Sequence, residues 1–119
     1  MGESRRQAFR PEDLTQLFVE FANMGDAEGM ALLYAPDAMM AFPPGQVTVG
    51  REKIQALFEQ MVKNRPQFKF EAPLTTLVMG DLALTATRAT DEAGARAQVA
   101  RRQADGTWLR ILDRPDFRA

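Results

Sequence analysis

The sequence predicts an α+β fold in which N-terminal helices pack into a strongly curved, mostly antiparallel sheet. Three observations predict it. Apolar residues recur at helical spacing through residues 14–22 and 54–62, the period shortens to that of strands from residue 67 onward, and turn strings punctuate that second half. Helices first and a strand meander after them make an α+β chain, with the sheet folded around the helices.

The elements follow in order. In "PEDLTQLFVEFANMGD" Pro11 suits a first helical turn, Glu12 and Asp13 favour its positive end, and Leu14, Leu17, Phe18, Phe21 and Ala22 share one face. Gly25 ends this helix. Asp26 is placed to cap a second short helix, predicted to run through Tyr34 and to stop at Pro36. "AMMAF" reads as a short strand and "PPGQ" as a turn. Gly50 then opens a third helix, "REKIQALFEQMVKN", with Ile54, Leu57, Phe58, Met61 and Val62 on one face and Pro66 closing it. "QFKFEAPLTTLVMG", "DLALTATRAT", "RAQVARRQ" and "TWLRILD" are strand-like, separated by "GD", "DEAG" and "ADG". No internal repeat or low-complexity tract interrupts the chain.

At 119 residues the chain fits one domain, residues 1–119 with a core over about 11–117. It is 45% hydrophobic and 26% charged, the balance of a soluble globule, and its net charge of −1 creates no global field toward nucleic acid or membrane. The charge is uneven: residues 1–37 carry seven acids and three bases, residues 96–119 six arginines and three aspartates. Those arginines are spread over several elements, as on solvated strand faces. With no cysteine and no histidine, disulfides, thiol nucleophiles, Cys/His zinc sites and every imidazole-based mechanism are excluded. Acid–base work falls to carboxylates, Lys53, Lys63, Lys69 and the single tyrosine, Tyr34. No spaced carboxylate cluster implies a metal, and no motif implies a cofactor. "MGESRRQAFR" lacks the apolar run of a secretory signal and no segment approaches a membrane span, so a cytoplasmic location is expected.

"NMGDAEGMALLYAPDAMMAFPPG", "VGREKIQALFEQMV", "GDLALTATRAT" and "RRQADGTWLRILDRPDF" stand in the order and spacing of the nuclear transport factor 2-like superfamily. Within it the chain most resembles the SnoaL-like and ketosteroid isomerase-like proteins of bacteria. The resemblance implies a cone with a deep apolar pocket at its open end and, usually, a homodimer formed through the outer faces of the sheets. It does not imply one activity, because such proteins include isomerases, cyclases, epoxide hydrolases, dehydratases and non-catalytic binding or association domains.

Ketosteroid isomerases shuttle a proton on one carboxylate and hold the developing enolate with a tyrosine and a protonated aspartate. The resemblance carries these three positions onto Phe42, Phe18 and Gln98. A phenylalanine neither accepts a proton nor donates to an oxyanion, so that constellation is missing. Phe18, Met40, Phe42 and Met61 either line an apolar pocket or fill the cone outright.

One carboxylate remains. Strict alternation in "WLRILD" puts Leu109, Ile111 and Asp113 on one face and Trp108, Arg110 and Leu112 on the other. The resemblance turns the Asp113 face toward the pocket; the alternative role for Asp113 is a strand-end cap before Pro115. Arg88 is either its partner or a solvated strand arginine, and Gln98 is a candidate donor to it. Of the pair at 101–102, Arg102 is expected to point inward with Gln98. Tyr34 either puts its hydroxyl at the pocket mouth or packs its ring beneath the cone with the hydroxyl wet, and Asp37 organises the turn out of the second helix.

Two functional expectations follow. The first is a homodimeric domain that binds a small apolar or cyclic ligand, its polar group met by Asp113, Gln98 or Arg88; any chemistry would be carboxylate-assisted proton transfer or water activation with Asp113 as base. The second is a dimerisation or regulatory module without turnover, its pocket filled.

Overall fold

The structure, a computed structural model, describes residues 5–64, 67–88 and 95–116. Helices α1 (Asp13–Asn23), α2 (Ala27–Ala31) and α3 (Arg51–Lys63) accompany strands β1 (Tyr34–Met40), β2 (Thr48–Val49), β3 (Leu77–Met79), β4 (Leu82–Arg88), β5 (Ala95–Arg102) and β6 (Trp108–Arg114). They form one six-stranded curled sheet in the order β2-β1-β6-β5-β4-β3. Every neighbouring pair is antiparallel except β1 and β6, which run parallel. This is the α+β arrangement the sequence predicts, with helices against the inner face of an unclosed sheet.

Each helix forms where local chemistry provides for it. At the start of α1, Asp13 Oδ2 accepts from the backbone N–H groups of Phe9 and Arg10, both at 3.2 Å. The helix buries Leu14, Leu17, Phe21 and Ala22, its predicted apolar face. Asp26 caps α2 by accepting from the Gly29 N–H at 3.0 Å, and Arg5 pairs with that carboxylate at 2.8 Å. Tyr34, Phe58, Leu14, Leu17, Met30 and Ile54 are the largest fully buried side chains, joining all three helices to β1.

Three predicted boundaries differ. The second helix ends at Ala31, and Tyr34 and Pro36 belong to β1. Pro36 is tolerated there because the β1–β6 register is broken between Tyr34 and Met39, where no ladder requires its missing N–H. Asp37 is accordingly an exposed strand residue, 3.7 Å from Arg101, and organises no helix exit. The strand read over 67–80 is reduced to Leu77–Met79 plus an isolated Pro73–Thr87 bridge. Asn23 at the end of α1 clamps the Phe68 backbone instead, donating to its carbonyl at 3.0 Å and accepting from its N–H at 2.7 Å. Pro66 and the "DEAG" turn lie outside the described residues.

The third difference sets the rest. Val99 of β5 opposes Leu112 of β6, yet Ala100 opposes Arg110, so Ile111 is an extra residue in β6: a β-bulge. Alternation is broken there, and Trp108, Arg110 and Asp113 are all buried while Leu112 and Arg114 are exposed. The register then lines up two rows. Val49, Met39, Leu112, Val99, Leu84 and Leu77 cross all six strands on the outer face, all of them exposed but the half-buried Val99. One residue along, Met40, Asp113, Gln98 and Thr85 cross four strands on the inner face, all buried.

Leu17 stands where α1 meets this core. Leu17→Ala should lower the unfolding free energy by about 2–5 kcal/mol, measured by urea denaturation, because a packed interior collapses only partly around a lost side chain.

Candidate functional site

The inner row ends in a hydrogen-bonded chain. Thr85 Oγ1 donates to Gln98 Oε1 at 3.2 Å, Gln98 Nε2 donates to Asp113 Oδ1 at 3.2 Å, and the Tyr34 hydroxyl donates to Asp113 Oδ2 at 2.5 Å. Arg110 Nη1 donates in turn to the Tyr34 hydroxyl at 3.3 Å. β1 supplies Tyr34, β5 Gln98, and β6 both Arg110 and Asp113; the bulge at Ile111 brings the last two to one face.

Around this chain lies a cavity of about 520 Å³. Its apolar wall comes from Phe18 and Val19 of α1, Leu57, Phe58 and Met61 of α3, Met40 at the end of β1, Phe42 just after it, and Phe68. Phe18 meets Phe58 edge-on at 5.5 Å and Phe68 at 6.3 Å, a favoured geometry that holds the rings in place. The Asn23 clamp on Phe68 fixes the last of these. Tyr34, Gln98, Arg110 and Asp113 make the buried end. Gln67, Lys69, Glu71, Arg96 and Asp116 make a more polar rim, where Arg96 Nε donates to Glu71 Oε1 at 2.9 Å and Thr87 Oγ1 to the same oxygen at 3.1 Å. A cavity thus lies between the helices and the sheet.

Burial, then the neighbouring Asp113 charge, push the Tyr34 phenol well above its ordinary range; the nearby Arg110 opposes this without cancelling it. Tyr34 is thus a neutral donor at any physiological pH. Asp113 accepts two side-chain hydrogen bonds, one at each carboxylate oxygen.

Of the residues singled out in the sequence, Phe18, Tyr34, Met40, Phe42, Met61, Gln98 and Asp113 line this cavity. Tyr34 does so fully buried, its hydroxyl neither at the mouth nor wet. Asp113 caps no backbone with its side chain; both oxygens face side-chain donors. Four residues lie elsewhere. Arg88 is exposed because Thr85 and Thr87 take the inner face of β4. Arg102 shares the parity of Gln98 but sits at the sheet's end, exposed and bonded to Asp81 at 2.7 Å. Leu109 lines a separate crevice by the N-terminal segment, and Ile111 is the half-buried bulge residue, outside the cavity lining. The cation at the buried end is Arg110, which strict alternation puts on the opposite face. Phe58 and Leu57 were legible on the apolar face of α3, and Arg96 as the residue two before Gln98. No sequence signal marked the bulge that recruits Arg110. Among the described residues no His/Cys/Asp/Glu group could hold a metal ion, and no helix is long and apolar enough to cross a membrane.

A curled sheet around three helices, with a cavity between them, defines the cone-shaped class of the nuclear transport factor 2-like superfamily. Residues 15–113 match the SnoaL-like domain family, and the chain belongs to it. Solved structures agree in fold. An NTF2-like protein with a cystatin-like fold from Novosphingobium aromaticivorans is 22% identical with a TM-score of 0.68, over 86% of this chain and 75% of that one. A ketosteroid isomerase-like protein from Erwinia carotovora is 17% identical with a TM-score of 0.63, over 87% and 89%. A proposed calcium/calmodulin-dependent protein kinase type II association domain from Thiobacillus denitrificans is 19% identical with a TM-score of 0.70, over 95% and 98%. No curated protein matches the sequence.

Because Tyr34 is the only tyrosine, its ionisation can be read directly from tyrosinate absorbance. A phenol whose pKa is raised on folding adds stability that is full below its unfolded value and lost as pH rises above it. At pH 10, where an ordinary phenol is half ionised, the native chain should show almost no tyrosinate, and the signal should appear together with alkaline unfolding. Half-ionisation at that pH with the fold intact would contradict the burial described.

Proposed function

We propose that this chain binds a small apolar or cyclic molecule in the cavity and acts on it by proton transfer or water activation, with Asp113 as general base. The observation that carries this reading is a buried carboxylate, held by a tyrosine and a glutamine, beside the Phe, Leu and Met wall of the cavity. An apolar body gains from leaving water for the Phe and Met surfaces. A C–H acid or water placed against Asp113 meets a proton acceptor whose orientation is fixed beforehand by Tyr34 and Gln98. Tyr34 stays protonated and steadies the carboxylate rather than competing for the proton. Phe42 and Phe18 supply wall, and of the lining carboxylates only Asp113 is at the buried end, held by Tyr34 and Gln98.

The working unit in this reading is a homodimer. The outer row of Val49, Met39, Leu112, Val99, Leu84 and Leu77 is an apolar stripe across the whole sheet, the kind of surface a second copy covers. The non-catalytic association module draws on the same stripe. It gives no reason, however, to desolvate Asp113 and Arg110 beside an open cavity, an arrangement that costs free energy in a purely structural domain.

Native mass spectrometry of the chain recovered from its own host would identify a retained molecule, and turnover of that molecule tests the chemistry. Asp113→Asn should lower turnover by about 10²–10⁴-fold, the usual worth of a general base, with binding changed far less. Equal turnover in the variant would remove Asp113 from that role. Separately, Leu84→Glu puts a charge in the middle of the outer stripe and should shift a dimer toward monomer in sedimentation measurements; an unchanged dimer would locate the interface elsewhere.

A further inference from the structure

The buried end of the cavity holds a cation with no anion attached to it. Arg110 is 4% exposed. Its Nη1 donates to the Tyr34 hydroxyl at 3.3 Å and its Nη2 to Thr15 Oγ1 at 3.4 Å, while its Nε is enclosed with no acceptor. Both bonds go to neutral oxygens and are long for a charged donor. A guanidinium offers five N–H groups, and only these two are used among the described residues. The nearby carboxylates are engaged with other donors: Asp113 accepts from Tyr34 and Gln98, Glu71 from Arg96 and Thr87. The Phe18 and Tyr34 rings lie 5.4 and 5.7 Å from the guanidinium carbon. Cation–π attraction of that kind orients the group without neutralising it.

A buried charge is ordinarily paired, and the remaining η N–H groups of a planar guanidinium suit the oxygens of a carboxylate or a phosphate, of which the smaller, singly charged carboxylate goes with the Phe and Met wall. We propose that Arg110 forms an anion subsite, so that the ligand is an apolar, ring-containing molecule bearing a carboxylate. The inference rests on reading the cavity as a ligand site and names the substrate class for it. The Tyr34 hydroxyl, bonded to both Arg110 and Asp113, sets the spacing between subsite and base. A ligand carboxylate seated on Arg110 places the ligand's neighbouring atoms, rather than the carboxylate itself, against Asp113.

Calorimetric titration of the full chain with 2-naphthoate and with the neutral 2-naphthylmethanol separates the two layers of the argument. The acid should bind at least about tenfold more tightly than the alcohol, as expected when a charged hydrogen-bonded contact is added. That preference should vanish in Arg110→Met and persist in Arg102→Met, whose side chain lies outside the cavity, bonded to Asp81. Equal binding of acid and alcohol, or a preference that survives Arg110→Met, overturns the subsite while leaving the cavity as a ligand site. Binding of neither compound overturns both. If Arg110→Met does not fold, the Nε–H resonance of Arg110 in the native chain decides: it should move with 2-naphthoate and not with 2-naphthylmethanol, and a resonance indifferent to the acid overturns the proposal.

Discussion

One extra residue in β6 governs what this interior can do. Without the bulge at Ile111, the pleat would send Arg110 and Asp113 to opposite faces, because residues three apart in a regular strand never share one. With it, both are buried beside Tyr34, and Leu112 between them is turned out into the apolar row. The bulge has a counterpart in β1, whose register against β6 slips between Tyr34 and Met39 around Pro36. Two irregular strands lying side by side thus bring a phenol, a guanidinium and a carboxylate to one point, while the regular β4–β5 ladder next to them supplies Gln98 and Thr85 as fixed support.

The energetic tension at that point is considerable. Removing a carboxylate or guanidinium from water costs several kcal/mol even after relaxation, and the return depends on how completely each group is hydrogen-bonded. Asp113 is well provided for, with one short bond from a neutral phenol and one from an amide. Arg110 is not, with two long bonds and an idle Nε. Such an imbalance is costly in a packed core and understandable at a binding site, where the missing partner arrives with the ligand. The Phe18, Phe58 and Phe68 rings pack edge to face beside this polar end and against the core of α1 and α3, where apolar burial supplies stability.

The fold was legible where it is periodic. The faces of α1 and α3, the β4 and β5 alternation and the turns at Gly80 and Gly106 all stand in the sequence as local patterns. Phe18, Met40, Phe42, Met61, Gln98 and Asp113 could be named from those patterns and from the resemblance to SnoaL-like proteins. The differences at Tyr34 and Arg110 share one cause, tertiary pairing that overrides local rhythm; Arg102 differs because its strand ends outside the cavity. Pro36 reads locally as a stop signal that would leave Tyr34 in a helix, yet it stands in β1 where the register with β6 is broken. Strict alternation puts Arg110 on the face away from Asp113, and only the bulge at Ile111 brings it round; Arg88 is the solvated strand arginine of the two alternatives. A bulge has no composition of its own here, no glycine and no turn residue at Ile111, so nothing local announces it.

The most direct test is a double-mutant cycle on Tyr34→Phe and Asp113→Asn, read by urea unfolding. Groups that share a buried hydrogen bond do not contribute additively. The account predicts a coupling of about 0.5–3 kcal/mol between the two substitutions. Additivity within about 0.3 kcal/mol, the behaviour of distant sites, would mean that Tyr34 and Asp113 do not meet and that the bulge does not assemble this site.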